Sequence, residues 1–245
     1  MEQKKKSKKK IVIIILLLTL IPFLIFAGLV GRKMIILSSL DKKVSKYKTY
    51  PNMYNEMVSD ANSDTIKLQT AKVYIKDGII KHILEIEKYD GTKNIITQVT
   101  SQDERKVFID NAGVKNVGIY REQREESMVI LISNYVKSDT FGEELSNSIT
   151  AKITTQEIDG KVCYAISSIK NSNFLYAEGT EEMVVYIEKD TGLPIKRVEV
   201  LNKDGERKEF VSNYKYEFDS VTDEDMKEPD MQEYLNNNDN AENKA

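Results

Sequence analysis

Hydrophobic and polar positions divide the chain into stretches of different period. Residues 11–30, IVIIILLLTLIPFLIFAGLV, contain no charge and no polar group beyond Thr19. A helix crossing the hydrocarbon of a bilayer needs about 20 apolar residues at ~1.5 Å each, so this stretch predicts a transmembrane helix. Pro22 is tolerated there as a mild kink. Beyond Gly31 the pattern thins to Leu37, Leu40, Val44 and Tyr47, which recur at helical spacing and predict an amphipathic stalk ended by Pro51. Met53, Tyr54 and Met57 offer a second short helical face within the connector 31–64.

From Thr65 the period becomes two. Asp-Gly pairs stand at 77–78, 90–91, 159–160 and 204–205, with Thr191-Gly192 in a similar place, each flanked by β-branched and apolar runs. Asp-Gly suits turns that need positive φ, so the pattern predicts nine or ten short-connected strands in an antiparallel meander over 65–230. Alternation puts Phe210, Tyr214, Tyr216 and Phe218 on one face of the last strand, against Val211, Asn213, Lys215, Glu217 and Asp219 on the other. Ile80, Leu84 and Ile86 share one face of an earlier strand, as do Val162, Tyr164 and Ile166 of a middle one. A sheet apolar on one side needs a cover. Thr140 with Glu143 suggests a capping box, and Phe141, Leu145 and Ile149 fall on one face of the helix after it. That helix, with the 51–60 segment, is the expected cover. After Pro229 the chain turns polar, and 231–245 reads as a disordered tail.

Charge sets orientation. Six lysines in the first ten residues place the basic tail 1–10 in the cytoplasm and the domain outside the cell membrane. The apolar run is longer than a signal peptide's and ends poorly for cleavage, so an uncleaved single-pass anchor is expected. Residues 1–48 hold 12 Lys+Arg and 2 Asp+Glu, leaving 24 and 37 for the rest, a net of −13. Such a domain has no charge for nucleic acid and should stand off anionic lipid. Abundant Lys, Ile and Asn hint at a low-GC Gram-positive bacterium.

Candidate chemistry is sparse. Cys163 and His82 are the only cysteine and histidine, which leaves no disulfide and nearly excludes zinc. Each sits among apolar strand neighbours and reads as packing, not as a nucleophilic pair. The acidic run Asp219, Asp223, Glu224, Asp225, Glu228 and Asp230 lacks the spacing of a calcium loop and reads as a solvated turn. No catalytic, cofactor-binding or metal-ligating residue is assigned. Expected ligand-cavity residues are Phe210, Tyr214, Tyr216, Phe218, Ile80, Leu84, Ile86, Phe141 and Leu145.

Three segments, EIDGKVCYAI, VVYIEKDTGLPIKRVEV and YKYEFDSVTDEDMKEPDMQEY, occur in an order that resembles the C-terminal half of LolA-like proteins. That superfamily includes a lipoprotein carrier, its acceptor and the stress sensor RseB; membrane-anchored, uncharacterised members of clostridia and bacilli are the more similar. The match spans about Glu157 to Tyr234. It implies a mainly β (α+β) half-barrel with short covering helices, and lipid, lipoprotein or envelope-protein partners. A tethered, non-enzymatic binding domain is the expectation. The alternative is a sensory or protein-interaction module with a closed core.

Overall fold

The computed structural model describes residues 2–47, 49–60, 65–121, 140–167, 180–203 and 205–235. The first element, α1 (Glu2–Ser45), is one helix of 44 residues. Six strands follow: β1 (Asn52–Asp60), β2 (Ile66–Lys76), β3 (Ile79–Lys88), β4 (Lys93–Thr100), β5 (Arg105–Asn111) and β6 (Val114–Tyr120). Then come α2 (Phe141–Thr150), β7 (Lys152–Ile158), β8 (Lys161–Ser167), β9 (Thr180–Glu188), β10 (Pro194–Lys203) and β11 (Glu206–Phe218). The strands form one open antiparallel sheet in the order β6-β5-β4-β3-β2-β1-β11-β10-β9-β8-β7. Two meanders are thus joined at their centre by the β1–β11 pair.

The turns explain why neighbouring strands pair. Asp77-Gly78 and Asp159-Gly160 hold both residues at positive φ, the geometry that matches strand twist. Ala112-Gly113 does the same between β5 and β6, where the Gly113 N–H donates to the Asp110 carboxylate.

The connector departs from expectation. Residues 52–60 are strand, not helix, because Met53, Asn55 and Ser59 alternate buried with less buried Tyr54, Glu56 and Val58. This strand sits mid-sheet, which raises the count to eleven among the described residues. Nor is the helix before it a free stalk. Leu37, Leu40, Val44 and Tyr47 are all buried against the inner face of the sheet. Leu37 and Leu40 pack with Ile166, Met183, Val185, Ile187 and Tyr214. Val44 and Tyr47 pack with Met53, Val73, Ile75 and Leu193. The cover expected of α2 and the 51–60 segment is supplied by the second half of α1.

The outer face has its own cover. Residues 219–235 cross it as a strap, starting where Asn52 pairs through both side-chain atoms with the Val221 backbone (2.9 Å each). Lys76 of β2 then holds Asp223 (2.5 Å), and Lys81 of β3 donates to the carbonyls of Asp225 and Lys227 (2.8 and 2.6 Å). Lys106 of β5 holds Glu228 (2.8 Å), and Lys115 of β6 holds Glu233. Within the acidic run Asp223 and Glu228 thus clasp lysines of the sheet, while five of its six acidic residues stay exposed. The strap ends in a helical turn at 231–235 whose buried Tyr234 meets Phe108 edge-on, with ring centroids 5.3 Å apart. That corrects the expected start of a disordered tail at 231; residues 236–245 lie outside the described set.

Candidate functional site

Seven of the nine expected cavity residues lie on the inner face of the sheet, Phe210, Tyr214, Tyr216 and Phe218 on β11 and Ile80, Leu84 and Ile86 on β3, but α1 covers only some of them. Tyr214 belongs to the core under α1, and Tyr216 packs against both clusters there. Phe218 stacks on Tyr47 with centroids 4.9 Å apart and meets Tyr50 edge-on at the same distance. Ile80 packs against the same group. Four of the nine thus serve a closed core, because α1 occupies the space they were expected to line.

Phe210, Leu84 and Ile86 are half-buried and belong to none of the packed clusters. Leu145 on α2 is 36% exposed and joins none of the packed clusters. The side chain of Phe141 lies outside the described set.

Register shows what surrounds Leu84. It pairs with Ile96, which pairs with Ile109, giving an apolar row across β3, β4 and β5 on the inner face. The adjacent row runs His82, Gln98, Val107, and the next begins Ile86, Asn94. All are half-buried, and none joins the clusters under α1 among the described residues. The sheet's inner face therefore has a closed part, from β7 through β1 to β2, and a less covered apolar wall on β3–β5. Ile96, Val107 and Ile109 were not expected there. Their signal was in the alternation of NIITQV and RKVFIDN, which becomes a wall only once register is known.

His82 stands within this wall between Val73 and Gln98. Burial holds its imidazole below the usual value, so it is neutral at physiological pH. Cys163 cannot reach it. Cys163 lies on β8, six strands away in the sheet order. It also points to the outer face, where its neighbours across the ladder are Gln156 and Glu188. The thiol is fully buried, and that burial pushes its pKa up, the reverse of an activated nucleophile.

An open cleft of about 280 Å³ lies on the outer face, lined by Tyr54, Tyr74, Lys215, Glu217, Ser220, Val221 and Asp225. Most of its charged and polar groups are engaged: Tyr54 donates to Glu56, Lys215 holds Glu217 at 2.6 Å, and Asp225 accepts from Thr222. No group of three or more metal-ligating side chains occurs among the described residues.

No family model matches the chain, and no curated protein matches it. Among solved structures it is similar to MucB, at 13% identity and a TM-score of 0.42, covering 79% of this chain and 62% of MucB. The chain thus spans less than two thirds of MucB's length. It is also similar to the Mycobacterium tuberculosis lipoprotein LppX, at 10% identity and a TM-score of 0.39, covering 77% of this chain and 97% of that one. A LolA superfamily protein from Nitrosomonas europaea gives 11% identity and a TM-score of 0.27, with coverage of 79% and 98%.

Proposed function

We propose that this chain is a non-enzymatic, membrane-tethered binding protein whose inner β3–β5 wall takes an apolar ligand, such as the acyl chain of a lipid or lipoprotein. The observation that carries this reading is the row Leu84–Ile96–Ile109, apolar, in register and outside the packed core. The tether is α1, whose residues 18–29 are exposed and apolar while its later turns are core. The lysine-rich start of the helix puts its N-terminus in the cytoplasm and the domain outside.

Energetics favour an acyl chain over a small polar ligand. Each buried methylene is worth about 0.8 kcal/mol, so ten of them supply roughly 8 kcal/mol before association costs are met. Gln98 and Asn94 beside the row offer polar atoms for an ester or carboxyl end.

A second reading has its own support. Tyr214, Tyr216 and Phe218 are closed under α1, as befits a protein-interaction or sensory module of the cell envelope with no small ligand. A photoreactive fatty acid separates the two. With the full chain in nanodiscs, crosslinks mapped to peptides covering 80–110 support ligand binding. Crosslinks confined to the 11–30 span would reject it.

A further inference from the structure

The helix and the sheet share a fixed direction. Val44 and Tyr47 meet Met53, Ile75, Leu193 and Phe218, all at one end of the strands. The N-terminal half of α1 therefore leaves the sheet at the opposite end. That end carries the turns after β3, β5 and β10, and the start of β7. It also carries α2, which touches α1 and hands over to Ala151, buried with Leu37 and Leu40.

No spacer separates the domain from the span. Residues 18–29 of α1 are exposed, and Val30 is already buried. From Val30 to Leu37 is about 10 Å of helix, roughly the depth of a headgroup layer. The end of the sheet where α1 leaves must then lie at the lipid surface.

The side chains on that end fit such a neighbour. Beyond the span, the three most exposed large apolar side chains among the described residues are Ile35 (72%), Tyr89 (67%) and Val114 (61%). Ile35 is on α1 just past Val30, Tyr89 begins the β3–β4 turn, and Val114 follows the β5–β6 turn. The α2 helix is inverted: Asn147 and Ser148 are buried while Leu145 and Ile149, one turn apart, are exposed. An outward apolar stripe on a surface helix is what an interfacial helix presents to the headgroup–acyl boundary. Lys88 and Lys93 flank the Tyr89 turn, whose own Asp90 is engaged by Thr92 and beside which Glu87 lies 4.0 Å from Lys93, and Arg32 and Lys33 follow Val30, positive charge suited to lipid phosphates. The acidic run that would oppose this lies elsewhere, starting at the far end of the sheet and clasped to lysines on its outer face.

From these placements we infer that the domain docks on the outer leaflet through α2 and the β3–β4 and β5–β6 turns, resting on the bilayer instead of standing off it. The inference rests on α1 being a membrane tether. It gives the β3–β5 wall direct access to lipid, since the two turns that close those strands at this end would touch the leaflet.

The chain contains no tryptophan, so single reporters can be placed cleanly. In the full chain in liposomes, Tyr89→Trp and Ile149→Trp report the docking end, Val162→Trp the opposite end, and Leu24→Trp the span. Lipids with a quencher near the headgroup are expected to quench Tyr89→Trp and Ile149→Trp several-fold more than Val162→Trp. Lipids quenched at mid-chain are expected to affect Leu24→Trp. Quenching of Leu24→Trp with Tyr89→Trp and Ile149→Trp no different from Val162→Trp overturns the docking and leaves the tether standing. An unquenched Leu24→Trp overturns both.

Discussion

Gly192 lies at φ +79° in the β9–β10 turn, and a Cβ built there would stand 2.8 Å from the Lys43 Cβ and 3.0 Å from the Leu40 carbonyl. The turn is pressed onto α1, and Lys43 donates to the Lys189 carbonyl beside it. Gly205 has a similar φ of +85° with open space around it. Gly205→Ala is therefore expected to cost only the backbone term, about 1–2 kcal/mol. Gly192→Ala adds a clash that neither backbone can relieve and should cost about 1–3 kcal/mol more. Chemical denaturation of both variants checks the difference.

His82 gives a pH dependence of known sign. Its folded pKa lies below the ordinary 6.5, so the unfolded chain binds the proton more readily. Stability is full above about pH 6.5 and falls as pH drops through the folded value. His82→Gln should flatten that fall, and thermal melts at about pH 7.5 and 5.5 would show it. At this scale the sequence was legible for the turns and for the inertness of Cys163. It was silent on Gly192, whose constraint comes from a helix about 150 residues away.

Among the elements, α1 changes the picture most. Its helical spacing at Leu37, Leu40, Val44 and Tyr47 was plain in the sequence. What those residues pack against was not, because a lone amphipathic face does not name its partner. Leu40→Ala is expected to cost about 2–5 kcal/mol, while Ile35→Ala on the exposed side of the same helix should cost nearly nothing in the purified protein. A free stalk would treat the two alike, so paired melts decide between stalk and core. Strand β1 is hard to read because Met53, Tyr54 and Met57 satisfy a helical spacing while its buried alternation runs through the polar Asn55 and Ser59, and nine residues are too few to separate the periods. The strap was hidden by its composition: the acidic run is solvated, and its path across the sheet shows only once lysines of β2, β3, β5 and β6 reach Asp223, the carbonyls of Asp225 and Lys227, Glu228 and Glu233.

In the whole molecule, α1 and the sheet are one folding unit. Four large side chains of α1 fill the core at roughly 1.5–3 kcal/mol each, which together is comparable to the entire stability of an ordinary domain. A chain beginning at residue 49 should therefore lack a cooperative thermal transition. One beginning at Gly31 should show it, and circular dichroism of the two settles the matter. The antiparallel class and the apolar helix were readable from periodicity, but the expectation of a sheet apolar on one side only was not met: Val99 and Phe108 form a second buried cluster with Tyr234 on the outer face. The location of the candidate site was not, since Phe210, Tyr214, Tyr216 and Phe218 look like a cavity wall until α1 is laid over three of them.

The binding role of the β3–β5 wall is open to direct measurement by native mass spectrometry of the full chain released from detergent micelles. The wild type is expected to carry one lipid-sized adduct, and Ile96→Glu and Leu84→Glu to lose it while keeping a cooperative thermal transition. A wild type free of adduct, or variants that retain it at the same occupancy, would contradict ligand binding on this wall.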